Sequence, residues 1–472
     1  MKYKKHKLLF LIIASLLICG LASTGSYAQS SEGDATVDTI ESIGRDLVKL
    51  LDDLVFGERD PTVKLDILPI IEKVNAAAAK TPIFLEAKTN IRFLENRKNE
   101  LLASYEPQIS ANGSFGQRTF QSTTSSGDQT RTTGQFVKPG ITANQMLYDF
   151  KATENKIFST NLEISATKSQ IDATKSQIFL EVISAFYEVQ RNLLQSRLAR
   201  ENLQSRKTFV NFIRERNLLG ASSAADVVRA ESRVAGALNL LAGSLQDLKR
   251  SQATYRQYFN EEAEPYVLPK ELSVESLSEF ELEGYITNHP EISGARLEVE
   301  SAKLDLEAVR SENKGRLSVK GDLSYSKSPG SANFNDDFSF GLEFSRDLYT
   351  GGVEELKEEK AALAVFQSEL NLDKLKIRLA KDIREGFASY EGAVSRVDAQ
   401  MLVLNGAKES YSITKELYAF SRVSLFEVLS SQEELFNAGT ELINGIVDRA
   451  LAKYKLLHVT NKLFEQIENE YF

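Results

Sequence analysis

Few residues in this chain are placed to make or break bonds. Its three histidines stand apart in sequence: His6 in the basic N-terminal segment, His289 before Pro290, and His458. No Ser-His-Asp order, phosphate loop or metal-ligand spacing accompanies them. The expectation is therefore a non-enzyme, with no catalytic residue, no metal and no cofactor. His289 reads as a helix-start residue rather than a ligand. The carboxylates in the most telling positions are Asp226 and Glu427. Each follows a helix reversal, and the shift of about 201 residues that relates them also carries Leu147 onto Leu348, Phe186 onto Phe387 and Gly220 onto Ser421. The chemistry open to such acids is electrostatic: a carboxylate repeated around a symmetry axis favours cations and repels anions. A plainer role is also open, because an acid in the first turn of a helix favours the dipole. That plainer role is the one assigned to Glu354, Glu355, Glu358 and Glu359.

The duplication sets the elements that position these residues. Residues 151–219 read as one helix of about 69 residues, with Ile157, Ile164, Ile171, Ile178 and Ala185 at every seventh place, the period of a left-handed coiled coil. Such a helix is on the order of 100 Å long. Gly220 ends it, and 224–259 runs back as a shorter helix. The second copy gives 353–420 and 424–460. Shorter helices at 70–104 and 286–314 precede the strands, and the sum of the two short helices in each copy nearly matches the long one. Near the start of each copy the shift is about 208 and maps Pro82 onto Pro290.

Between the helices the period changes to two. In 108–117, Ile109, Ala111, Gly113 and Phe115 alternate with polar residues; in 316–326, Leu317, Val319, Leu323 and Tyr325 do so. In 338–348, Phe338, Phe340, Leu342, Phe344 and Leu348 point one way, and Ser339, Gly341, Glu343, Ser345 and Asp347 the other. The strand at 136–148 is less regular, and Pro139 counts against its being central. The segments 118–134 and 327–337 are rich in Ser, Thr, Gly and Asn and read as exposed hairpin loops. This alternation fits a membrane wall or a half-buried soluble sheet.

The N-terminus predicts export. Lys2, Lys4, Lys5 and Lys7 precede an apolar run at 8–19, too short to span a bilayer, and Ser26-Tyr27-Ala28 offers a cleavage site. Residues 1–28 are thus expected to be a signal peptide. Cys19, the only cysteine, lies within it, so disulfide chemistry is absent from the mature chain; Ile18 is bulky for a lipid attachment site. Loss of the four signal lysines takes the formal charge from −9 to −13, which argues against nucleic acid. No later segment is apolar enough for a spanning helix.

Four strands cannot close a membrane barrel, whose smallest forms have about eight, and an open edge in lipid leaves backbone groups unpaired at several kcal/mol each. The chain must borrow strands from copies of itself: two copies would give about eight strands, and three would give about twelve with twelve helical columns. The inference is a homo-oligomeric conduit with strands in the outer membrane and helices in the periplasm.

The layout resembles the TolC family of outer-membrane channels, which serve drug efflux and type I protein secretion. The resemblance covers about 66–465. It rests on Asn288-His289-Pro290-Glu291-Ile292 with its weaker copy Thr81-Pro82-Ile83, on Leu348-Tyr349-Thr350-Gly351-Gly352 at the strand exit, and on the turns Leu219-Gly220-Ala221 before Asp226-Val227 and Ser424 to Leu429. It implies a membrane β-barrel plus α-helical coiled-coil tunnel: a homotrimer with a twelve-stranded barrel, four strands per protomer. It implies as partners a periplasmic adaptor, an inner-membrane transporter (ABC or proton-driven) and outer-membrane lipid. It also implies a periplasmic aperture involving Asp226, Glu427 and Tyr418, and adaptor-contact turns at Leu219, Gly220, Ala221, Phe420, Ser421 and Arg422. The family's second ring acid falls at Ser430 and its lock arginine at Val423, with Arg422 one place off. The expected division is a signal peptide (1–28), an acidic extension (29–65), a first repeat (66–264), an equatorial linker (265–285) and a second repeat (286–472). The competing readings are a cell-surface structural or adhesive coiled-coil protein and an ungated porin.

Overall fold

The structure, a computed structural model, describes residues 48–49, 67–123, 127, 129–263, 274, 277–327 and 334–471. The expected signal peptide, with Cys19, lies outside the described residues, and of the acidic extension only Val48 and Lys49 are described.

The first repeat runs α1 (Ile67–Ala78), α2 (Pro82–Ala103), β1 (Gln108–Thr123), β2 (Gln129–Tyr148), α3 (Ala152–Leu218) and α4 (Ala224–Phe259). A short turn at Glu279–Glu281 leads into the second: α5 (Leu282–Thr287), α6 (Pro290–Glu312), β3 (Arg316–Lys327), β4 (Phe334–Ser345), α7 (Val353–Ala419), α8 (Leu425–Val459) and α9 (Leu463–Tyr471). Both long helices have 67 residues, about 100 Å each. They enter through matched left-handed backbone, Phe150 and Lys151 in one copy and Gly351 and Gly352 in the other.

The helix expected over 70–104 is two helices. Thr81 is extended (φ −66°, ψ 141°) and Pro82 occupies the first helical turn, where a missing N–H costs nothing. The same device separates α5 from α6 at His289-Pro290. As a result the short helices of each column, α2 with α4 and α6 with α8, together supply 58 residues rather than the full length of the long helix. The shortfall is a joint. Against it lie α1 and α9, which share a core with Phe179, Val182, Ile183, Tyr187, Tyr255 and Tyr454, and α5, whose Tyr285 packs with Ile292, Ile383, Leu456 and Val459.

Helix α3 is the hub: it packs on α2 and α4 along one side and on α6 and α8 along the other, while α7 packs on α6 and α8. Four columns therefore lie side by side. The seam between α3 and α6 is built from small residues, with Ser159 and Ser301 hydroxyls 2.9 Å apart and Gly294 against the Ala166 carbonyl, where a Cβ would sit 3.3 Å away. The heptad seam of α3 is buried or half-buried throughout.

The four strands form one antiparallel sheet in the order β1-β2-β3-β4. Register places Phe115 opposite Val137, Ala111 opposite Ile141, Ile141 opposite Leu323, and Leu323 opposite Phe338. One face thus carries an apolar band across all four strands, and it is bare: Ile109, Phe115, Phe338, Phe340 and Leu342 are each at least 70% exposed. The opposite face carries Thr142 bonded to Asp322 at 2.9 Å and Lys320 paired with Glu343 at 3.6 Å. Three expectations are corrected here. Residues 118–123 and 129–135 belong to the strands, held by the backbone ladder and by cross-strand pairs such as Thr119–Thr133 at 2.9 Å. The last strand stops at Ser345 rather than 348. Pro139 sits in a central strand, at a place where the β2–β3 ladder skips Lys138 and Pro139, so its missing N–H breaks no rung on that side.

Candidate functional site

The end of the bundle far from the sheet is formed by two reversals, α3 to α4 and α7 to α8. Both long helices finish in the same hydrogen-bonded motif. Ala221 N–H donates to the Arg216 carbonyl at 2.8 Å and Gly220 N–H to Asn217 at 3.0 Å; Arg422 N–H donates to Leu417 at 2.9 Å and Ser421 N–H to Tyr418 at 3.0 Å. This closure requires left-handed backbone at its pivot, found at Gly220 (φ +73°) and Ser421 (φ +54°). Serine lacks the freedom of glycine there, and its hydroxyl has a compensating contact described below.

Each returning helix then opens with a capping box. Asp226 accepts from the Ser223 N–H at 3.1 Å and Ser223 Oγ at 2.8 Å, while the Asp226 N–H donates to Ser223 Oγ at 3.1 Å. Glu427 accepts from the Ser424 N–H at 3.4 Å and Ser424 Oγ at 3.0 Å. Both candidate acids therefore do N-terminal capping within the chain. The Ser223 hydroxyl and N–H hold the Asp226 carboxyl below its ordinary pKa, helped by Ser222 and by Arg229 at 3.4 Å.

Tyr418 is buried against Phe209 and Phe212, with ring centroids 6.0 and 6.4 Å away. Burial raises the pKa of its phenol, with the Arg216 cation and Ser222 opposing that rise, and Ser222 Oγ reaches Asp226 at 3.4 Å. Tyr418 of the second repeat and Asp226 of the first thus both lie beside Ser222; Glu427 is not part of this cluster. Leu219 and Phe420 project at the turns, 79% and 67% exposed. Gly220, Ala221, Ser421 and Arg422 are exposed beside them, while Val423 turns inward onto the apolar cluster between the helices.

The residue that ties the two reversals together was not among the candidates. Arg216, in the last turn of α3, donates from Nη2 to Ser421 Oγ at 2.8 Å and from Nη1 to the carbonyls of Tyr418 and Ala419 at 3.5 and 3.4 Å. Its guanidinium lies over the Tyr418 ring, 5.1 Å from the centroid. It therefore sits on the negative end of α7, where a cation is favoured. The available signal was a basic residue in a final helical turn; its repeat mate, Leu417, is apolar and gave no echo. Above the tip, further links join the helices: Arg233 with Glu433 at 2.5 Å, Gln432 with Ser205 at 2.8 Å, Gln195 with Asn444 at 2.7 Å, and Arg191 with Asp448 at 2.6 Å.

Comparison with known proteins places this architecture. The family model described as outer membrane efflux protein matches residues 74–261 and 283–461. The outer membrane efflux protein BepC of Brucella suis is 21% identical over 382 residues, 80% of this chain and 82% of the relative. The alkaline protease secretion protein AprF of Pseudomonas aeruginosa is 23% identical over 175 residues, 36% of each chain. In fold, the crystal structure of the Campylobacter jejuni CmeC outer membrane channel matches with a TM-score of 0.72 at 14% identity, over 85% of this chain and 89% of that one.

Proposed function

The chain belongs to the outer membrane efflux protein family, and on that premise we propose that three copies close into one duct that opens at the helical tip. The family is one of channels rather than enzymes, and the protein is an outer-membrane exit duct of a tripartite export system, its sheet in the membrane and its helices in the periplasm. In the trimer, the free edge of β4 meets the free edge of β1 in the next copy, and the twelve strands close.

The observation that carries this reading is the bare apolar face of a sheet with two open edges. In water such a face requires a cover, and no described element packs on it; this disfavours the adhesive coiled-coil reading. In lipid the face is satisfied, and the open edges become the reason for assembly. A second surface supports the same partner. On α7, Leu356, Leu363, Leu370 and Ile377 recur every seventh residue and are 54–73% exposed, a seam with no partner helix within the described chain.

The finer assignments follow the tip geometry. The turns carrying Leu219, Gly220, Ala221, Phe420, Ser421 and Arg422 are the adaptor contacts, through which an inner-membrane transporter is coupled. Arg216, with the cluster of Tyr418, Ser222 and Asp226, holds the tip shut, and Glu427 adds charge at the neck. Trimer closure is tested with Gln108→Cys and Ser345→Cys, placed at the periplasmic ends of β1 and β4. There is no cysteine after Cys19 to interfere. A short bis-maleimide crosslinker is expected to give a covalent trimer; a chain that remains monomeric under crosslinking in membranes refutes the closure.

A further inference from the structure

Beyond His6, the chain has two histidines, 169 positions apart in sequence, and the fold brings them to one place. His289 is the N-cap of α6 and His458 lies in the last turn of α8. The pair therefore occupies the joint at which the second column passes from its upper helix to its lower one. His289 is 4% exposed, and its Nδ1 accepts from the Glu291 N–H at 3.3 Å. His458 Nδ1 lies 2.8 Å from Ser176 Oγ, on the unbroken helix α3.

The charged groups facing the pair are Arg378 and Asp382 from α7 and Glu291 from α6; α3 contributes the uncharged Ser176. Arg378 is already committed to Glu291 and lies 4.0 Å from Asp382. No carboxylate hydrogen-bonds either imidazole among the described residues. We propose that this pair makes the joint acid-sensitive: protonation of His289 and His458 releases the cap of α6 and uncouples α6 from α8 at the joint of the second column. A protonated Nδ1 has no lone pair for the Glu291 N–H, so the cap is lost outright. A second cation on His458 then faces the first, with Arg378 adjacent.

The energetics agree with the geometry. Burial, then the neighbouring Arg378, brings His289 down to about 4; burial, then His289, brings His458 to about 4, against the opposing pull of Glu291 and Asp382. A histidine whose folded pKa is depressed is neutral in both states above about pH 6.5 and costs stability as pH falls below that, down to the folded value. Between about pH 7.5 and about pH 5 the opening constant of the joint rises roughly thirtyfold for each histidine.

The test is hydrogen–deuterium exchange on the full-length protein in detergent, with times corrected for the intrinsic rate, at both ends of that range. Protection over 290–298 and 450–459 is expected to fall by more than tenfold in the wild type. In His289→Asn/His458→Gln it should stay level, since asparagine caps a helix without titrating. Equal loss in the variant, or full protection in the wild type, overturns the proposal. Should the variant not assemble, the wild type is titrated with 13Cε1-labelled histidine: two midpoints well below about 6.5 support the joint, and either midpoint at the ordinary value overturns it. The proposal is independent of what the duct carries.

Discussion

Replacing Arg216 with methionine isolates the contact between the two reversals. Methionine keeps most of the apolar stem but removes the guanidinium fork. The bond to Ser421 Oγ, at 2.8 Å, is the strong one; hydrogen bonds from a charged donor are worth about 1.5–3 kcal/mol. The contacts to the Tyr418 and Ala419 carbonyls, at 3.5 and 3.4 Å, lie at the limit of useful geometry and add little. The ring contact with Tyr418 adds about 0.5–1 kcal/mol at a partly exposed site. The α3–α7 link is therefore weakened by about 2–4 kcal/mol, which shifts the balance between shut and open tips on the order of a hundredfold. The assay is single-channel recording in planar bilayers, alongside thermal unfolding of the purified protein. Longer open times with only a small fall in melting temperature are expected, because the core around Phe179 and Tyr187 is remote from the change and stays intact. Arg216→Lys, which keeps the charge but not the fork, should fall between the two. Conductance indistinguishable from the wild type in Arg216→Met would show that this contact does not hold the tip.

Two further outcomes are expected. Glu427→Gln should lower cation preference without lowering stability, because glutamine can still complete the capping box; unchanged ion selectivity would leave Glu427 as a helix cap only. On the sheet, Phe340→Lys should cost about 2–4 kcal/mol by placing a charge on the lipid face near mid-strand, whereas Ser339→Lys on the opposite face should lie within about 0.5 kcal/mol of the wild type. Membrane fractionation of heat-resistant trimers separates the two, and equal insertion would contradict the assigned faces.

The long helices and the sheet faces were legible because single periodicities carry them. The seven-residue spacing from Ile157 to Ala185 and the alternation from Phe338 to Phe344 each encode one buried or lipid-facing side. Where composition and backbone pairing disagree, the pattern failed: Thr119 and Thr133 look like loop residues yet sit in a ladder extending well past the apolar band. The break before Pro82 was visible as a motif but not as a helix end, because the apolar spacing continues across it. Arg216 was invisible for another reason. Its partners lie 202–205 positions away, and the repeat that exposed Asp226 and Glu427 offers no second arginine. Identifying those two acids located the tip, but their local role came only with the Ser223 and Ser424 contacts.

The equal rods have a consequence for how such a protein can change. An insertion in one 67-residue helix would leave its end overhanging its twin, and the twins are encoded in separate stretches of one gene. A viable alteration must strike both stretches and both jointed columns together, in steps of about seven residues that preserve the seam. Residue identity is held more loosely: a relative matched over 82% of its length shares 21% of the aligned residues. In this architecture inheritance guards the ruler more strictly than the letters.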